Sequence, residues 1–172
     1  MKHEAHLKNE EETIRFGMIL GQFLHEGGRV YIKGNLGSGK TTLCRGVLRT
    51  FGFSGAVKSP TFTLIEPYEL VKGTIYHFDL YRLIDPDELE YIGLEEYFQC
   101  SNLCLVEWPE QAGQKLPPAD VEIELMLKDK ARDIILQPKS SKGEDICTKA
   151  LTSWSTNRNK LDSKMFWEDE ES

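Results

Sequence analysis

The fold is decided by residues 34–42, which read Gly34-Asn35-Leu36-Gly37-Ser38-Gly39-Lys40-Thr41-Thr42. They fit the pattern G-x-x-x-x-G-K-[ST], in which a glycine-rich loop surrounds phosphate groups with backbone N–H groups. The glycines let these groups turn inward without obstruction, and the N-terminus of a following helix adds partial positive charge. Lys40 can reach the β- and γ-phosphates, and the Thr41 hydroxyl suits Mg²⁺. We call residues 34–42 the glycine loop and predict that it binds a nucleoside triphosphate.

The residues on either side of the glycine loop have the order that such a loop requires. Residues 29–33 have the composition of a short buried strand. Downstream, apolar residues recur at helical spacing from Leu43 to Phe51, and Gly52 is a natural helix stop. A glycine-rich turn with an accidental Lys-Thr pair is the alternative, and it leaves this strand–loop–helix order unexplained.

Length and composition indicate one soluble globular domain and exclude several function classes. The 172 residues suffice for one domain with a real core. No apolar run approaches the length of a membrane span and no secretory segment follows Met1, so we expect a cytoplasmic protein without membrane contact. The net charge of −7 argues against tight nucleic-acid binding by this chain alone. The four cysteines lack ligand spacing and are interpreted as small buried hydrophobes.

The remaining pattern predicts a three-layer α/β fold of the P-loop NTPase kind, with a mainly parallel sheet and antiparallel hairpin additions at 61–78 and 121–137. Residues 1–153 form the single predicted domain, and the polar, acidic residues 154–172 are expected to be disordered. We expect a loose terminus at 1–9, helices at 11–26 and 143–154, and short helices from Pro86. The expected strands outside the glycine-loop region are 61–70 and 74–78, which form a hairpin, and 102–106, 121–127 and 133–137. Pro67 indicates that the first strand of the hairpin lies at a sheet edge.

Three side chains outside the glycine loop are candidates for the chemistry of triphosphate hydrolysis. Glu107 directly follows a buried strand, where phosphate-loop enzymes usually place an acid that holds the metal or its water. Asp79 also follows an apolar strand and is interpreted as a water-orienting or metal-supporting group, unless it pairs with Arg82. Thr61 lies where nucleotide switches often sense the γ-phosphate, although a plain strand threonine explains it too.

Two residues close to these candidates in the sequence, His77 and Trp108, are less informative. His77 is a lone histidine and is interpreted as packed or hydrogen-bonded locally rather than catalytic. Trp108 fits either a core position or an exposed contact, and the sequence does not decide between them.

Four ordered motifs together resemble the bacterial TsaE family of ATPases, which work in tRNA threonylcarbamoyladenosine biosynthesis. They are the glycine loop, Lys58-Ser-Pro-Thr-Phe-Thr-Leu64, Tyr76-His-Phe-Asp-Leu-Tyr-Arg82 and Leu105-Val-Glu-Trp-Pro109. The resemblance spans about residues 10–153. It implies an ATP hydrolase that is slow alone and acts with the TsaD–TsaB complex, which attaches threonylcarbamoyl to adenosine 37 of ANN-decoding tRNAs. The resemblance further implies that ATP hydrolysis resets that complex between turnovers. It also implies that the complex holds the tRNA, which agrees with the acidic net charge of this chain.

The resemblance also assigns residues. It implies that Asn35 to Thr42 surround the phosphates of ATP, with Lys40 in contact with them. Thr41 and Glu107 match the Mg²⁺ ligands, Asp79 and Thr61 match catalytic and switch-like positions, Trp108 matches the neighbour of the acid, and Glu10 and Arg132 match positions that flank the nucleotide base. Ser38 and Asn35 replace the family's usual Ala and Asp, at positions where the backbone does the binding.

Two other functions share the same nucleotide site. One is a non-catalytic nucleotide-binding switch that regulates a partner through its bound state. The other is a small-molecule kinase, which the sequence disfavours because Arg82 and Arg132 stand apart and no arginine-rich lid is evident.

Overall fold

The computed structural model describes the backbone of residues 2–168 and the side chains of residues 2–158. Within this range the elements are β1 (His3–Leu7), α1 (Glu10–Gly21), β2 (Gly28–Gly34), α2 (Lys40–Thr50), β3 (Ile65–Leu70), β4 (Gly73–Asp79), α3 (Leu94–Tyr97), β5 (Leu103–Glu107), β6 (Val121–Lys128), β7 (Ala131–Pro138) and α4 (Ser141–Glu168). Single 3₁₀ turns span Pro86–Tyr91 and Pro109–Ala112. No helix of residues 2–168 is long and apolar enough to cross a membrane.

One sheet carries all seven of these strands, in the order β1-β7-β6-β2-β5-β4-β3. The central strands β6, β2, β5 and β4 run parallel, and β7, β1 and β3 add antiparallel pairs at the two sides. The predicted fold class and its hairpin additions are therefore confirmed. Pro67 lies in β3, at the sheet edge, where its missing N–H costs no ladder hydrogen bond.

Helices cover the two faces of the sheet unequally. The apolar faces of α1, α2 and α4 pack on one side, and the two 3₁₀ turns with α3 cover the other. Gly17 of α1 and Gly46 of α2 meet at the closest approach of these helices, since a Cβ on Gly17 would lie 3.0 Å from the Cα of Gly46. This contact fixes α2, and with it the glycine loop, against the rest of the domain.

The N-terminal segment differs from its prediction as a loose terminus. Residues 3–7 form edge strand β1, which pairs antiparallel with β7 from His3↔Leu136 to Leu7↔Arg132. Leu7 is fully buried, and His6 Nδ1 lies 2.8 Å from Asp133 Oδ1. The strand forms because β7 offers a free backbone edge for hydrogen bonding. The local sequence of residues 3–7 contains no information about that distant partner.

Three further boundaries differ by more than two residues. Strand β3 begins at Ile65 rather than 61, because the Leu64 N–H donates to the Pro60 carbonyl at 2.7 Å and closes a turn there. Helix α1 ends at Gly21 rather than 26. Helix α4 continues to Glu168, through most of the segment expected to be disordered, because neither glycine nor proline interrupts residues 144–168; residues 169–172 lie outside the described part.

The cysteines agree only partly with their interpretation as buried hydrophobes. All four are free thiols. Cys44, Cys104 and Cys147 are buried, whereas Cys100 is exposed.

Candidate nucleotide site

A cleft of about 330 Å³ opens where β2, β4 and β5 end at the same edge of the sheet. Parallel strands present their carboxyl ends together, which is where ligands bind in open α/β sheets. All the residues predicted for the site line this cleft except Asn35 and Ser38. Ser59 and Tyr81 line it as well, and the sequence did not single them out.

The backbone of the glycine loop turns tightly between β2 and α2. Gly39 has φ +103°, a conformation that side chains disfavour, and a Cβ there would lie 2.9 Å from Arg132 Nε. A Cβ on Gly34 would lie 2.7 Å from the backbone carbonyl oxygen of Leu125. Glycine is thus required at both positions, and the loop keeps its N–H groups free of side chains.

The Lys40 side chain is folded onto the loop. Its ammonium donates to the carbonyl oxygens of Gly34 at 2.6 Å and Asn35 at 2.9 Å, and it lies 4.4 Å from the ring centre of Trp108. Burial lowers the pKa of Lys40, while the negative charges of Glu107 and Asp79 oppose that shift. A buried cation held by carbonyls at the centre of a loop is well placed to turn toward an anionic ligand.

Thr41 and Glu107 face each other across the first turn of α2. The Thr41 hydroxyl lies 2.9 Å and 3.0 Å from the two carboxylate oxygens of Glu107, which is buried at the end of β5. One hydroxyl oxygen and one carboxylate make a set of hard oxygen donors, the chemistry that Mg²⁺ prefers. The two residues that the sequence proposed as metal ligands are therefore adjacent and fit the ion.

Asp79 lies beside Glu107 in the register of β4 with β5. One of its carboxylate oxygens accepts hydrogen bonds from the hydroxyls of Ser59 and, at 3.1 Å, Thr61; the other accepts from the Tyr81 N–H at 2.9 Å. Burial and the Glu107 charge raise the pKa of Asp79, and the bonds from Tyr81 and Thr61 partly offset them. The structure thus joins Thr61 to Asp79 and gives no ion pair between Asp79 and Arg82.

Glu10 and Arg132 also line the cleft. The Arg132 Nε–H donates to the Ser38 carbonyl at 3.1 Å, and Nη1 reaches the Thr13 hydroxyl at 3.4 Å. Glu10 lies 3.6 Å from Arg45. Arg132 therefore stabilises the glycine loop by a hydrogen bond to its backbone. This bond connects the β6–β7 hairpin, which is distant in sequence, to the site.

Trp108, which the sequence left undecided, and His77, which was interpreted as packed or hydrogen-bonded locally, now have definite places. Trp108 is half-buried, with its ring 4.9 Å from that of Tyr81, and its backbone is in the left-handed region at φ +58°. His77 is fully buried, and its Nε2 lies 2.6 Å from a Glu107 oxygen. Cys44 packs next to this pair, and burial raises the pKa of its thiol well above the usual range, which keeps it neutral.

A glycine loop between a central parallel strand and its helix, with an acid at the end of the neighbouring strand, is the arrangement of the P-loop NTPase-like α/β fold. The family model described as threonylcarbamoyl adenosine biosynthesis protein TsaE matches residues 7–134. The chain belongs to the TsaE family, which takes part in tRNA threonylcarbamoyladenosine biosynthesis.

Individual relatives agree with this assignment. The tRNA threonylcarbamoyladenosine biosynthesis protein TsaE of Haemophilus influenzae is 42% identical over 146 residues, which cover 82% of this chain and 92% of the relative. The Bacillus subtilis protein of the same description is 35% identical over 140 residues, covering 81% and 87%. The crystal structure of Bacillus subtilis YdiB superposes with a TM-score of 0.76 at 28% identity, over 89% of this chain and 96% of that one.

Proposed function

We propose that this protein is a Mg²⁺-dependent ATPase required for threonylcarbamoyladenosine modification at position 37 of ANN-decoding tRNAs. It acts on the TsaD–TsaB complex and supports the turnover of that complex. The observation that carries the proposal is the convergence of Lys40, Thr41, Asp79 and Glu107 on one cleft beside the glycine loop. A cation, an oxygen pair for a metal and a second carboxylate are the parts that phosphoryl transfer to water needs.

The phosphates of ATP would be held first by backbone. The N–H groups of the glycine loop and the N-terminus of α2 provide partial positive charge. Lys40 would exchange its bonds to the Gly34 and Asn35 carbonyls for bonds to phosphate oxygens, so the site already holds the cation that the ligand requires. Arg132 and Glu10 also line the cleft and would flank the nucleoside part.

Thr41 and Glu107 would hold Mg²⁺, which when bound neutralises charge on the β- and γ-oxygens. Asp79 would accept a hydrogen bond from the attacking water, because its carboxylate faces the same cleft and burial makes it more basic than an exposed aspartate. The Ser59 and Thr61 hydroxyls that now occupy one Asp79 oxygen can rotate to other acceptors. Under this proposal, Asp79 acts on the attacking water and Glu107 on the metal.

The biological setting rests on the family. The acidic charge of this chain favours an indirect route to tRNA, through a partner complex that holds the nucleic acid. The threonylcarbamoyl transfer would then belong to the partner, and ATP hydrolysis by this chain would restore the partner for another cycle.

The test is simultaneous measurement of ADP and phosphate formed from ATP, with and without the TsaD–TsaB complex. We expect slow, Mg²⁺-dependent formation of both in equal amounts, faster with the complex and absent in Lys40→Ala. Lys33→Ala is the matched control, because Lys33 lies outside the cleft, near Glu122. Nucleotide binding without stimulated turnover would instead favour the switch, and ADP without free phosphate in the presence of an acceptor would favour a kinase.

A further inference from the structure

His77 is a buried polar residue that does not line the cleft. It lies in β4 between Ile75 and Asp79 on the same face, and its side chain has no solvent exposure. Its Nε2 is 2.6 Å from Oε2 of Glu107, whose side chain is only 3% exposed. Buried polar groups need partners, and the partner here is the carboxylate assigned to the metal.

Glu107 needs a fixed donor because its side chain has three rotatable bonds before the carboxylate. Thr41 contacts both oxygens, but one hydroxyl proton can serve only one of them at a time. Thr41 also stands at the start of α2, directly behind the loop that must accommodate phosphates. His77 stands on β4, which is hydrogen-bonded along its length to β5, so its bond ties the carboxylate to the sheet.

The other ring nitrogen shows which form of His77 makes this bond. Nδ1 is buried and has no hydrogen-bond partner among the described residues. A proton on Nε2 has the Glu107 carboxylate as its acceptor, whereas a proton on Nδ1 would have no acceptor among the described residues, which is costly for a buried group. The Nε2–H then donates to Glu107.

We propose that His77 is a positioning residue: its ring donates from Nε2 to Glu107 and holds that carboxylate in the orientation that Mg²⁺ binding requires. The proposal rests on the proposed function and deepens it. Hydrogen-bond partners of metal ligands typically contribute about 10–100-fold to metal affinity. Loss of the donor should weaken the Mg²⁺-dependent part of nucleotide binding by about that factor and leave metal-free nucleotide binding unchanged, because His77 does not reach the cleft.

The first experiment titrates Mg²⁺ into each protein with a fluorescent ATP analogue and follows binding of the analogue. We expect His77→Leu to need about 10–100 times more Mg²⁺ for half-maximal effect than the wild type. His77→Gln should recover most of the difference, because its amide nitrogen occupies a position similar to Nε2. Tyr76→Phe is the control on the opposite face of β4. Equal Mg²⁺ requirements for His77→Leu and the wild type would overturn the proposal.

The second experiment needs no change of the core. Long-range ¹H–¹⁵N NMR of the wild-type protein labelled at histidine reports which ring nitrogen carries the proton, and the His77 signals are assigned by their loss in His77→Gln. A proton on Nε2 alone is expected, and a ring protonated at Nδ1 overturns the proposal. A wild type without any Mg²⁺-dependent nucleotide binding would overturn the proposed function together with this inference, whereas normal Mg²⁺ binding in His77→Leu overturns the inference alone.

Discussion

The Lys40 ammonium lies over the Trp108 ring, 4.4 Å from its centre, while it donates to two carbonyls of the glycine loop. Binding of ATP should draw the cation from these carbonyls toward the phosphates and change the electrostatic environment of the indole. We expect the intrinsic fluorescence of the wild type to change on addition of ATP, and the change to disappear in Trp108→Phe. Trp154→Phe should keep the change, because Trp154 packs against Phe16, away from the cleft. A full fluorescence change in Trp108→Phe would contradict the prediction, because the signal would then not report movement of Lys40 relative to the Trp108 indole.

Asp79 is the carboxylate that we assign to the attacking water. Replacement by asparagine keeps an acceptor for the Tyr81 N–H but removes the negative charge. We expect Asp79→Asn to bind ATP within a few-fold of the wild type and to hydrolyse it at least about 100-fold more slowly in single-turnover phosphate release. Asp85→Asn, an exposed N-cap outside the cleft, is the control. A normal rate in Asp79→Asn would transfer the water-orienting role to Glu107.

Local sequence was enough to predict the parts of the site that single segments determine. The glycine loop with its strand and helix is one continuous stretch, so its spacing fixes the positions of Lys40 and Thr41. Asp79 and Glu107 could be found because each follows an apolar strand, and parallel strands end at a common edge.

Pairings between distant segments could not be predicted in this way. Strand β1 forms only because β7, more than a hundred residues away, leaves an edge free for it. The bond from Ser59 to Asp79 depends on the turn closed by Pro60 and Leu64, which local alternation had suggested as strand. His77 meets Glu107 only through the register of β4 with β5, which neither strand specifies alone.

Asp79 should also make stability depend on pH in a definite direction. Burial raises its folded-state pKa above the ordinary value of 3.8, so the folded protein holds this proton more tightly than the unfolded chain. Stability therefore falls as pH rises from the unfolded pKa through the raised folded pKa, and the loss is complete above that window. Asp79→Asn does not titrate. We expect its melting temperature relative to the wild type to be higher at pH 7.5 than at pH 4; a constant difference would show that the carboxyl does not have a raised pKa.

The contact of α1 with α2 should tolerate no added methyl group. A Cβ on Gly17 would lie 2.3 Å from the Leu43 carbonyl oxygen and 3.0 Å from the Cα of Gly46, and both are backbone atoms that cannot turn away. We expect Gly17→Ala to lower the free energy of unfolding by about 1–3 kcal/mol, despite the better helix propensity of alanine. Denaturant unfolding measures this, with Glu11→Ala on the exposed side of α1 as a near-neutral control. An unchanged midpoint of denaturant unfolding in Gly17→Ala would contradict this prediction, because it would mean that α1 and α2 can move apart to accommodate the methyl group at no cost.

Arg132 acts on the glycine loop from another part of the chain, and its contribution should be separable from that of the metal ligands. Its Nε–H holds the Ser38 carbonyl, and its guanidinium also reaches Thr13, so one side chain connects β7, the loop and α1. Loss of a charge-assisted hydrogen bond costs about 1.5–3 kcal/mol, so we expect Arg132→Ala to weaken nucleotide binding at least about tenfold. The loss should be the same with and without Mg²⁺, because Arg132 contacts neither Thr41 nor Glu107. Calorimetric titration with ATP in both conditions tests this, with Lys130→Ala in the same hairpin as the control. A loss confined to the Mg²⁺ condition would contradict the bracing role and connect Arg132 to the metal instead.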